Sequence, residues 1–166
     1  MKAIFLAALV AATGLTAAQA APHAVSQVSV TIGPELQAKA DKYGQRDLDQ
    51  LAKDLKHDVE RAVARKGGST AGGGELKLVL ADATPNHPTF KQLGDTPGLS
   101  MQSFGVGGAR IEGVLVRADG STEPVRYEWQ ETDIRQAYAQ PIWGDAYLTF
   151  EQFASRVAHG QRLAAR

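Results

Sequence analysis

Apolar and polar residues alternate from Ala24 to Ile32, with Val28, Val30 and Ile32 on one side and Gln27, Ser29 and Thr31 on the other. A period of two predicts a strand with one wet face. Gly33-Pro34 stops that strand, and Pro34 suits the first turn of a helix that carries Glu35 near its positive end. Leu36, Ala40 and Tyr43 fall on one helical face before the pattern slips at Gly44. Beyond the glycine, Leu48, Leu51, Leu55, Val59 and Ala62 recur at steps of three and four, between Asp, Lys, Arg and Glu. This spacing predicts an amphipathic helix of about six turns. An unbroken helix from Pro34 to Lys66 would be about 50 Å long at 1.5 Å per residue. A compact chain of this size is only about 30–35 Å across, so a break is expected near Gly44.

Gly67 to Gly74, reading GGSTAGGG, has the composition of a flexible surface connector. Leu76, Leu78 and Leu80 then alternate with Lys77 and Val79, which predicts a second strand ending near Asp82. Residues 83–108 hold three prolines and five glycines without a usable period, and are expected to form one long irregular loop. Two further alternating runs follow, Ile111, Gly113, Leu115 and then Val125, Tyr127, Trp129. Asp119-Gly120 between them is a strong signal for a tight reversal, so these strands should pair antiparallel. Ala146, Phe150, Phe153 and Val157 mark one face of a closing helix, with Asp145 as its expected N-cap and Gly160 just past its end. A sheet with one face covered by two amphipathic helices buries every apolar stripe. The fold class is therefore α+β, a two-layer arrangement of about four strands. Strand order stays open, and a crossover is required if the first two strands are parallel.

The segment before these elements reads differently. One positive charge at Lys2, an apolar run too short to span a bilayer and an ending of Ala18-Gln19-Ala20 form a secretory signal peptide at 1–20. Residues 21–166 are then expected as one exported domain, periplasmic or secreted, without a membrane span. Lys plus Arg and Asp plus Glu both count 18, which leaves no basic surplus for nucleic acid. The chain has no Cys, so disulfides, thiolate metal sites and a cysteine nucleophile are excluded. His23, His57, His87 and His159 are scattered, without helical i, i+4 spacing, and no metal or other cofactor is expected. Pro22 removes the amide that an amino-terminal copper site at His23 would need.

With its strand-helix-strand start, the hairpin RADGSTEPVRYEW and a closing helix bearing Phe150 and Phe153, the chain resembles small α+β domains of unknown function in bacterial envelope lipoproteins and secreted relatives. The likeness covers most of residues 25–159, and the chain departs from the lipoproteins in lacking their lipid-bearing cysteine. The resemblance implies an envelope-located, non-catalytic module. It carries over no catalytic residue.

Two functional readings come from the residues. The first is a binding or assembly module that meets an envelope protein or small ligand through the loop 83–108, with Asn86, His87, Gln102 and Ser103 as contact residues beside Glu131 and Asp133. The second is a small secreted hydrolase using Ser100 or Ser103 with His87 and Asp82 or Asp95, although no strand-to-helix nucleophile turn surrounds either serine. The glycine cluster SFGVGG leads into a strand rather than opening a helix, unlike phosphate-binding loops. Tyr127 and Trp129 lie on the same side of their strand as Val125 and are read as core. Phe90, Leu93, Leu99, Met101 and Phe104 are expected to hold the long loop in order.

Overall fold

A computed structural model describes residues 24–68 and 72–163, so the expected signal peptide lies outside the described residues, as does His23. The elements are β1 (Val25–Ile32), α1 (Pro34–Gln37), α2 (Ala40–Tyr43), α3 (Gln45–Arg65), β2 (Gly74–Thr84), α4 (Phe90–Asp95), β3 (Gly108–Val116), β4 (Thr122–Gln130), α5 (Ile134–Ala137) and α6 (Gly144–Ala158). The protein is a two-layer α+β fold, with a mixed sheet in the order β1-β2-β3-β4. β1 and β2 are parallel, joined through the helical crossover, and β2, β3 and β4 form an antiparallel meander.

Gly44 carries φ 98°, a conformation that favours glycine. The chain turns there between α2 and α3, which confirms the expected break. α3 then lays Leu48, Leu51, Leu55 and Val59, all fully buried, along the sheet, and α6 adds Phe150, Phe153 and Val157 beside it. Leu76, Leu78, Leu80, Ile111, Leu115 and Val125 meet them from the sheet. Tyr127 is buried with its hydroxyl donating to Gln152 Oε1 at 2.6 Å, and Trp129 is half-buried against the same core. Both strand-four aromatics therefore serve packing. Leu55→Asp would place an unpaired charge in this seam, at a cost above about 4 kcal/mol. Loss of the helical circular dichroism signal at room temperature is the expected result.

Three expectations need correction. Residues 83–108 are not one irregular loop: β2 runs on to Thr84, α4 occupies Phe90–Asp95 and β3 begins at Gly108. Asp145 is not the N-cap of the closing helix. Trp143 holds that place, and Asp145 sits buried inside the first turn. The described ends of the glycine-rich connector are tied to β1, since Val25 N donates to Gly68 O and Ser26 Oγ donates to Gly73 O.

A bulge between Leu80 and Asp82 resets the β2–β3 register, pairing Asp82 with Arg110 and Ala83 with Ala109. Ala83 and Ala109 are buried, which leaves Asp82 on the open face. There its carboxylate meets Lys39 Nζ at 2.5 Å.

Candidate functional site

The connection between β2 and β3 is built around Asn86. Its backbone N–H donates to Ile142 O at 2.7 Å, and its carbonyl accepts from Gly105 N at 2.8 Å. Its side chain donates to Asp145 Oδ2 at 2.5 Å and Gly105 O at 3.2 Å, and accepts from Asp145 N at 2.9 Å. Gly107 N adds a further bond to Asp145 Oδ2 at 2.9 Å. One buried amide and one buried carboxylate thus tie the start of the loop, its return and the first turn of α6. The carboxylate also lies where the helix dipole favours negative charge.

Pro88 and Thr89 are buried, and Thr89 opens α4 with a capping box: its Oγ1 accepts from Gln92 N, while Gln92 Oε1 accepts from Thr89 N. This Thr-x-x-Gln signature was readable in the sequence, yet the surrounding prolines and glycines obscure it. His87 fastens the other half of the loop. Its Nδ1 lies 3.1 Å from both Met101 O and Ser103 O. Two carbonyl neighbours require that nitrogen to carry hydrogen.

The expected contact residues divide accordingly. His87 and Ser103 share the wall of a cleft of about 260 Å³ with Tyr43, Leu99 and Phe104. Asn86 lines the same cleft but is nearly fully buried there, its side chain bonded to Asp145 and Gly105. Gln102 is exposed, its backbone N–H donating to Ser100 Oγ at 3.3 Å. Glu131 folds its carboxylate back onto Thr132 N and Asp133 N, although its own N–H donates to Gly107 O at 3.0 Å, beside the loop's return. Asp133 caps α5 and is gripped by Arg135, whose hydrogen bonds hold the carboxyl below its ordinary pKa. Neither acid lines the cleft that contains His87.

Among the described residues, the candidate serine, histidine and aspartate side chains make no hydrogen bond to one another. Asp82 is turned toward Lys39 and Asp95 pairs with Lys91. His87 bonds the carbonyl of Ser103, not its hydroxyl. Among the described residues, no group of three His, Asp or Glu side chains is placed to hold a metal ion.

The apolar residues carry the feature that sequence reasoning missed. Phe90, Met101 and Phe104 do not pin the loop down: Phe90 is 74% exposed, Met101 46% and Phe104 42%. Leu93 and Leu99 are half-buried. Phe104 meets the 68%-exposed Tyr138 edge-on at 5.4 Å between ring centroids. Tyr138 belongs to the β4–α6 connection, as does exposed Ile134. A second cleft of about 330 Å³ lies among Phe90, Ile142, Trp143, Tyr147, Asp47 and Gln50. Trp143 forms its firm wall, edge-on to Tyr43 at 5.5 Å, with Nε1 donating to Asp47 Oδ2 at 3.3 Å. Burial raises the Tyr147 phenol above its ordinary pKa, and the nearby Asp54 carboxylate adds to the shift. α4 contributes to both clefts, through Phe90 to one and Gln92 to the other.

No protein-family model matches the chain. No curated protein matches it either.

Proposed function

We propose that the chain is an exported, non-catalytic module of the cell envelope that grips an apolar segment of a partner protein through the surface formed by the β2–β3 and β4–α6 connections. The observation carrying this reading is the set of exposed aromatic and aliphatic side chains, Phe90, Met101, Phe104, Ile134 and Tyr138, on connections held by buried hydrogen bonds. Exposed apolar clusters with polar rims are characteristic of interaction surfaces. Aromatic side chains on an ordered backbone lose little entropy on binding. The Trp143 cleft accepts an apolar anchor, and Asp47 at its rim favours a basic neighbour in the partner. The signal-peptide pattern read at residues 1–20 and the resemblance in element order to envelope domains support the location. A processed amino terminus at Ala21, read by mass spectrometry of the exported protein, checks that part.

Displayed peptides selected on the purified protein test the surface. Selected sequences should share an aromatic or long aliphatic anchor. The triple variant Phe90→Ala, Phe104→Ala, Tyr138→Ala should weaken them by about thirtyfold or more, the range of interface hot spots. Its melting temperature should stay near the parent's, because side chains this exposed contribute little to folding. Undiminished binding by a folded triple variant would overturn the assignment.

A further inference from the structure

We propose that the outer edge of β1 pairs antiparallel with β1 of a second copy of this chain, joining two four-stranded sheets into one. β1 and β4 are the two ends of the sheet, and the fold treats them differently. At β4, Arg126 N donates outward to Leu163 O, so the segment at Leu163 covers part of that edge. Pro124, two residues earlier, stands at another outward position and has no hydrogen to donate there. Glu123, Arg126 and Glu128 add charge along the strand. Covering segments, prolines and charges of this kind keep an edge from pairing with further strands.

The edge of β1 lacks these devices. Gly33 N donates to Leu80 O in β2. By the alternation of a ladder, Thr31, Ser29 and Gln27 turn their backbone groups to β2, and Val28, Val30 and Ile32 turn theirs outward. Those outward groups have no hydrogen-bond partner among the described residues. The glycine-rich connector reaches only the start of the strand, where Val25 N donates to Gly68 O. From Gln27 to Ile32 the register with β2 is regular, so the strand offers a straight edge. It is at the far side of the sheet from β4 and uses none of Phe90, Phe104 or Tyr138, and so stands independently of the function proposed above.

The sequence of the strand selects the occupant. Val25–Ile32 reads VSQVSVTI, without a charge or a proline, so two copies meet with no like charges opposed. A two-fold contact requires a surface complementary to itself, and period-two alternation supplies it. With Val30 at the axis, Val28 stands opposite the second copy's Ile32 on the helix-covered face, and Ser29 opposite its Thr31 on the open face. The hydroxyls there can bond across the pair. Val28 is already buried, whereas Val30 and Ile32 pack on the core and stay half-buried. The second copy would bury these two further and satisfy the outward backbone groups with about six hydrogen bonds.

Sedimentation equilibrium of the purified exported protein measures the contact. Monomer and dimer should exchange with a dissociation constant of about 10 µM, in keeping with a contact below standard size. Ser29→Lys, Thr31→Lys, both on the open face, sets lysine against lysine and should raise that constant at least about tenfold. Ser29→Glu, Thr31→Glu should do the same alone, and mixing the two variants should restore a heterodimer. Val30→Pro deletes an N–H that faces outward, leaving the β1–β2 ladder intact, and should weaken the dimer at least about tenfold. Circular dichroism melting shows that each variant is folded. A parent that remains monomeric at about 300 µM overturns the proposal, as does an undiminished dimer in the folded lysine variant or in folded Val30→Pro, or a mixture of the charged variants that stays monomeric. Phe90→Ala, Phe104→Ala, Tyr138→Ala should dimerise like the parent; loss of the dimer there would put the contact on the aromatic surface and would equally overturn it.

Discussion

Replacing Asn86 with alanine is expected to lower the melting temperature by roughly 10 °C and to open the loop that it holds. The substitution removes three side-chain hydrogen bonds, two with Asp145 and one with Gly105. It also strips a partner from a carboxylate that is 1% exposed and whose Oδ1 already accepts no hydrogen bond from the described residues. Stranding a buried polar group costs about 1–3 kcal/mol, and more for a charged one. A total of about 3 kcal/mol corresponds to that melting shift for a chain of this length. Asp145→Asn should be milder, since it removes the buried charge while leaving an oxygen to accept from Asn86 and Gly107. Amide hydrogen exchange locates the effect: protection at Gly105 and Gly107 should fall in Asn86→Ala while β2 and β3 stay protected. If Asn86→Ala melts with the parent, the tie between loop and helix is not what orders the surface.

That tie explains why the fold was legible in the sequence and the site only partly so. Strands and long helices announce themselves through periodicity, because one face of each must be buried; Leu48 to Ala62 and Leu76 to Leu80 could hardly be placed otherwise. Gly44 was legible for a related reason, as a helix running straight through it would outrun the domain. The β2–β3 connection has no such period. Its order comes from Asn86 and Asp145, 59 residues apart in sequence, and nothing local in either residue marks that pairing. In the sequence Asn86 reads as a polar loop residue able to face a ligand, and in the fold its side chain is bonded to Asp145 and Gly105. The sequence suggests Phe90, Met101 and Phe104 as anchors, because apolar residues in a loop are expected to be buried. Once hydrogen bonds hold the backbone, those side chains are free to stay in solvent, which is the condition for using them in recognition. α4 is the one element that sequence reasoning could have recovered, through Thr89 and Gln92.

Gly113→Ala is expected to abolish folding although it adds a single methyl group. Gly113 occupies the core-face position between Ile111 and Leu115 on β3, paired with Leu78 on one side and Val125 on the other. β3 is an interior strand, hydrogen-bonded to β2 and β4, so neither neighbour can retreat without breaking a ladder. A Cβ here would lie well inside van der Waals distance of Lys77 O and 3.0 Å from Leu78 Cα, and φ is 152°. Rigid backbone is in the way, with no side chain able to swing aside. Overpacking ordinarily costs about 1–3 kcal/mol. Displacing a central strand should exceed about 4 kcal/mol, a large part of the stability of an ordinary domain. Gly94→Ala supplies the contrast: nothing lies within 4 Å of its Cβ position in α4, and alanine there should be neutral or stabilising by about 0.5–1 kcal/mol. Urea unfolding of the two variants measures both effects. A parent-like midpoint for Gly113→Ala would mean that β2 and β3 do not meet in this register, and the faces assigned to both strands would have to be exchanged.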